Sequence, residues 1–159
     1  MTDRTYSINR GGTILGYVYG LTLFLLALTG FAQMPIFKRY YIADIPGFGW
    51  LAEFYTTHFL HYVGASAILA IAAYCAADYL LITRRHRRLS ASGTVRAALL
   101  SVIIASGVLL AIRNSVFVPF SPAVVTALLL THMGLTVVFL LSILYFKISG
   151  RPWTKKIRH

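Results

Sequence analysis

Four apolar runs, each long enough to cross a lipid bilayer, dominate this chain of 159 residues and leave little else from which to build a fold. A helix needs about 20 predominantly apolar residues to span the hydrocarbon core. The runs lie at about 13–31, 52–82, 95–112 and 123–148. The first is free of charge, the second carries Glu53 and Asp78 near its ends, the third has only Arg96 at its edge, and Lys147 closes the fourth. In lipid every backbone N–H and C=O must be satisfied within the protein, which leaves helices and closed barrels. Because the runs are continuous and lack the period-two alternation of membrane strands, helices are expected. No A-x-A-like cleavage site follows the first run, which is therefore read as a span and not as a signal peptide. The expected fold is an all-α membrane protein, a single integral domain over 1–159 forming an up-down bundle of four transmembrane helices.

Charge supplies the orientation. Only 12% of residues are charged, about half the usual share of a soluble domain, which argues against a soluble enzyme. Fifteen Lys and Arg face four Asp and Glu, for a formal net charge of +11. A nucleic-acid binder spreads its cations along a polar face; here they punctuate apolar runs, so no nucleic-acid partner is expected. Twelve of the fifteen cations precede the first span, lie in the second connection or at its edge, or sit at or beyond the end of the fourth, leaving Lys38, Arg39 and Arg113 opposite. The positive-inside rule then predicts a multi-pass protein of the cytoplasmic (inner) membrane with both termini cytoplasmic. The TRRHRR run at 83–88 reads first as that topology signal, with recognition of anionic membrane lipid or a cytoplasmic partner as its second use.

On the outer side, QMPIFKRYYIADIPGFGWL at 33–51 is rich in aromatics. Tyr40, Tyr41 and Trp50 fit an interfacial belt, and the loop also fits a docking surface for an extracytoplasmic subunit. Cys75 is the lone cysteine, which excludes a disulfide framework or a cysteine metal site.

Ligating groups inside a membrane are costly and are functional candidates by default. Three histidines fall within spans: His58 and His61 in the second, His132 in the fourth. His61 and His132 each lie about nine residues from the outer end of their helix, roughly 14 Å deep at 1.5 Å per residue. Two imidazoles at equal depth on different helices suit the two faces of a porphyrin iron. The same residues also fit a zinc or copper site with His58 as a third ligand, or interhelical hydrogen bonding alone. Gly16, Gly20, Gly64, Gly107 and Gly134 remove bulk between helices, for a cofactor or for close packing. Arg113, at the outer end of the third span, suits either a haem propionate or ordinary snorkelling to the interface.

The segments LLALTGFAQMP at 25–35, HFLHYVG at 58–64, LLSVIIASGVLLAI at 99–112 and THMGLTVVFLLSILYF at 131–146 share their order, spacing and topology with a known family. The chain resembles the four-helix membrane cytochromes b of formate dehydrogenases (gamma subunits) and nickel–iron hydrogenases over nearly its whole length. That resemblance implies b haems that pass electrons between an extracytoplasmic iron–sulfur subunit and the quinone pool. The departures concern one haem. Where the family carries a first-helix ligand histidine, about fourteen residues before the TG glycine, this chain has Gly16. Where the family's fourth helix has its second histidine, this chain has Phe146. At position 58, where the family tends to have arginine, stands His58, which favours His61 as the ligand.

The resemblance therefore implies one b haem on the outer side, with His61 and His132 as axial ligands and the usual cytoplasmic-side quinone site in doubt. A menaquinone or ubiquinone near the outer haem, with Glu53, Tyr55 and Tyr62 handling protons, is the remaining placement. The function implied is a membrane-anchoring electron-transfer subunit of an oxidoreductase complex, with an iron–sulfur or multihaem partner outside. The alternative is a haem-free anchor or assembly subunit derived from such a cytochrome. No Gly-rich nucleotide loop, cysteine cluster or Ser-His-Asp set is present, so no substrate conversion by this chain alone is expected.

Overall fold

The computed structural model describes residues 3–34, 44–115 and 120–157. Four helices long and apolar enough to cross a membrane occupy the described residues: α1 (Asp3–Ala32), α2 (Phe54–Leu81), α3 (Ala91–Ser115) and α4 (Pro122–Ile148). α1, α3 and α4 contain their expected spans, α2 lies just inside the expected 52–82, and the protein is all-α and multi-pass in character. Two three-residue strands, β1 (Arg87–Leu89) and β2 (Thr154–Lys156), pair antiparallel. Tyr40, Tyr41, Lys38 and Arg39 lie outside the described residues.

The helix ends follow from local chemistry. Ser121 caps α4, its hydroxyl accepting from the Val124 N–H at 3.4 Å, and Pro122 occupies the first turn, where its missing N–H costs nothing. Gly150, at φ +62°, ends α4 in the left-handed conformation. There the Arg151 N–H reaches the Phe146 carbonyl at 2.9 Å and turns the chain back. At the start of α3, Ser90 Oγ accepts from the Gly93 N–H at 3.0 Å. This cap begins the helix at Ala91, four residues ahead of the apolar run.

The chain divides into two compact units, Met1–Ala77 and Asp78–His159. Burial is inverted relative to a soluble protein. Thr22, Thr29, Thr57, Ser92 and Ser106 are buried, while Leu21, Phe24, Phe59, Leu130 and Leu141 are exposed. An apolar solvent removes the reason to bury leucine and adds a strong reason to bury hydroxyls against partners. Accordingly, Thr57 Oγ1 donates to the carbonyls of Phe54 (3.0 Å) and Glu53 (3.1 Å), within its own helix.

In the second unit, Arg96 lies inside α3 and is buried. Its Nε donates to the Ser92 carbonyl at 3.0 Å and its Nη2 to the Arg151 carbonyl at 3.1 Å. The guanidinium sits 4.2 Å from the Trp153 ring centroid and 5.1 Å from that of Phe146. Carbonyls and ring faces thus solvate this cation. The segment after α4 is held by this arginine and by hydroxyls: Ser90 and Ser92 Oγ donate to the Pro152 carbonyl at 2.6 and 2.9 Å.

Candidate functional site

Within the first unit, His61 on α2 faces the Thr29–Gly30 pair of α1. Thr29 is fully buried, and its one hydroxyl proton points to the Leu25 carbonyl at 2.7 Å. Its oxygen, 3.0 Å from His61 Nδ1, is thereby set to accept the ring N–H. In the neutral ring this network assigns the proton to Nδ1 and the lone pair to Nε2. Gly30 allows the close approach, since a Cβ there would stand 3.3 Å from His61 Cε1.

The second unit repeats the device. His132 on α4 faces the Ser106–Gly107 pair of α3. Its Nδ1 lies 3.0 Å from the Ile103 carbonyl, which can only accept, and 3.1 Å from Ser106 Oγ. Ser106 spends its own proton on the same carbonyl at 3.0 Å. The lone pair is again on Nε2. A Cβ at Gly107 would stand 2.9 Å from His132 Cε1, tighter than real contacts allow. Both imidazoles are thus oriented through Nδ1 by a hydroxyl that immediately precedes a glycine on the neighbouring helix.

His58 has a different setting. Its Nδ1 lies 3.0 Å from Gln33 Oε1, and Gln33 Nε2 donates to the Thr29 carbonyl at 3.1 Å. Phe54 stacks on its ring at 5.2 Å and Tyr62 meets it edge-on at 4.5 Å. His58 is therefore tied through Gln33 to the same threonine that orients His61.

The other sequence candidates divide. Gly64 packs against the Leu26 side chain, 3.1 Å from where its Cβ would be, which is a helix-packing role in α1–α2. A Cβ at Gly16 would meet nothing within 4 Å. Arg113 is exposed and its Nη1 donates to Asn114 Oδ1 at 3.3 Å. Tyr55 is 85% exposed, so its ring is available to lipid or a partner. Among the described residues no group of three or more His, Cys, Asp or Glu is placed to hold a metal ion. This gives no support to a zinc or copper site built on His58.

Thr29, Ser106 and Gln33 are the site residues that sequence reasoning did not single out. Their signal was available: a hydroxyl followed by glycine in an otherwise apolar helix, at TG 29–30 and SG 106–107. In comparisons with known proteins, the chain matches no family model, no curated protein and no solved structure.

Proposed function

We propose that the chain is a single-haem membrane cytochrome b of the type it resembles, with His61 and His132 as the axial ligands through Nε2. The observation that carries the reading is the shared Nδ1 presentation of the two rings. Metal-ligating histidines characteristically donate their other N–H to a carboxylate, backbone carbonyl or water, which fixes the tautomer and raises ligand basicity. Here both spanning imidazoles that match in depth carry a comparable arrangement, and the lone pair falls on the nitrogen that would ligate. A haem held by His61 and His132 would supply one-electron transfer.

The role that follows is relay between the quinone pool and an extracytoplasmic iron–sulfur or multihaem partner, by a subunit with both termini in the cytoplasm. The chain's own residues hold and orient the ligands, and the exposed apolar helix faces anchor it in lipid. Phe146 supports a single haem, because its ring is already engaged beneath Arg96.

Pyridine haemochrome quantification of the purified chain tests the reading, with about one b haem per chain expected. Two haems would refute the single-site assignment. None would leave the histidines as interhelical hydrogen-bond donors in a haem-free anchor.

The hydroxyls give a finer test. Thr29→Val removes the acceptor of His61 Nδ1, whereas Ser106→Ala leaves His132 the Ile103 carbonyl. Loss of an outer partner typically costs about 10–100-fold in metal affinity. Thr29→Val is therefore expected to weaken haem retention by about tenfold and shift the midpoint potential, with Ser106→Ala milder on both counts. Equal effects, or a Thr29→Val protein with unchanged potential, would contradict the assigned tautomers.

A further inference from the structure

We infer that the β1–β2 ribbon is a binding site for the phosphate headgroups of anionic lipids. The register sets Arg87 opposite Lys156 and Arg88 opposite Lys155. Directly opposed cross-strand side chains have Cβ atoms about 4.5–5.5 Å apart, and like charges there oppose pairing. All four side chains are exposed. Alternation along each strand sends one cation pair to each face of the ribbon.

No acid offsets this repulsion from within the unit. Asp78 is the only Asp or Glu between residues 78 and 159, and its carboxylate accepts from Thr83 Oγ1 at 2.9 Å. Adjacent Arg84 and Arg85 add two more exposed cations. What holds the ribbon is uncharged: the Ser90 N–H to the Trp153 carbonyl at 3.0 Å, the two serine hydroxyls on Pro152, and the Ile157 N–H to the His86 carbonyl at 3.3 Å. Among its described residues this unit thus keeps four cations in opposed register with Asp78 as its one acidic side chain, and an external anion completes the arrangement.

Position selects the anion. β1 lies in the short connection between the ends of α2 and α3, and β2 follows the end of α4. Three span ends within a few residues keep the ribbon at headgroup level on whichever side it faces. Trp153, 37% exposed beside it, is the residue type enriched at that level. Arginine forks bind phosphate oxygens bidentately, and lysines add point charge. A lipid phosphodiester is the anion present there at high local concentration.

The test is native mass spectrometry of the full chain in detergent, titrated with phosphatidylglycerol or phosphatidylcholine. Phosphatidylglycerol is expected to bind at least about tenfold tighter, with a preference that falls as salt rises. In Arg87→Gln/Arg88→Gln/Lys155→Gln/Lys156→Gln the affinity should drop by about fivefold per charge removed. A charge-conserving variant, Arg87→Lys/Arg88→Lys/Lys155→Arg/Lys156→Arg, should keep the preference and so separates charge from folding. Equal binding of the two lipids by the unmodified chain would overturn the proposal, as would a preference that survives the quadruple glutamine variant. Competition by inorganic phosphate at concentrations comparable to the lipid would reassign the ribbon to a soluble anion. Tight binding of an acidic protein domain without lipid preference would overturn it equally.

Discussion

His132→Ala is expected to yield a chain that inserts in the membrane yet shows no b-type band in its reduced-minus-oxidised spectrum. Under the proposed ligation His61 and His132 would be the two protein ligands, and removing one would leave the iron held from a single side. His61→Ala should behave the same way. The neighbours of each ring differ in what they lose. Thr29 still donates to Leu25 and Ser106 still donates to Ile103, so neither truncation strands a hydroxyl proton. Helix formation should therefore survive, which circular dichroism of the haem-free protein would verify. His86→Ala and His58→Ala provide the contrast. His86 joins the ribbon through its backbone carbonyl, and His58 bonds Gln33, so both variants should retain the full haem complement. Normal haem content in His132→Ala would sink the ligand assignment, and loss of haem in His58→Ala but not His61→Ala would move the ligand by one turn.

Gly93→Ala should release the segment after α4. A Cβ at this position would run into the Trp153 carbonyl oxygen, a backbone atom that cannot rotate away, with Ser90 Oγ 3.3 Å off on another side. That carbonyl accepts from the Ser90 N–H, and the preceding one from the Ser90 and Ser92 hydroxyls, so a shift breaks several bonds together. Trp153 would also leave Arg96, exposing a buried guanidinium. Overpacking of this kind costs about 1–3 kcal/mol. The docked segment should then open often enough for trypsin to cut at Lys155 and Lys156 at least about tenfold faster. Tryptophan emission should shift to the red, while haem content stays unchanged because His132 and Ser106 are not in the contact. Unaltered proteolysis and emission would show that the segment tolerates the methyl group and that the docking geometry is wrong.

Hydropathy located the four helices well because it reports the one constraint that lipid imposes on every residue of a span. It placed the start of α3 late, since the small and polar residues 91–94 stand outside the apolar run. The helix begins instead where Ser90 caps it, and the arginine is accommodated by the Ser92 carbonyl together with ring faces and a carbonyl that belong to residues 146–153. His61 and His132 were legible as a pair from depth, a quantity that needs only a count of residues along each helix. Their orienting partners were not, although the TG and SG dipeptides stood in plain view. A hydroxyl bond to the i−3 or i−4 carbonyl is the ordinary fate of Thr and Ser in apolar helices, and nothing local distinguishes one that also meets an imidazole from across the helix pair.

What the amino-acid order determined by itself is therefore the set of spans, their all-α character and the residues costly enough in lipid to demand a reason. Those follow from transfer free energies, which each residue carries with it wherever the chain goes. Tertiary structure alone decided which polar groups the Nδ1 of each spanning histidine meets, that Arg96 is buried, and that β2 returns to β1. These depend on directed hydrogen bonds between residues far apart in sequence, 32 for Thr29 with His61 and 60 for Ser92 with Pro152. A hydrogen bond is specified by angle and distance, and neither exists until the helices are packed.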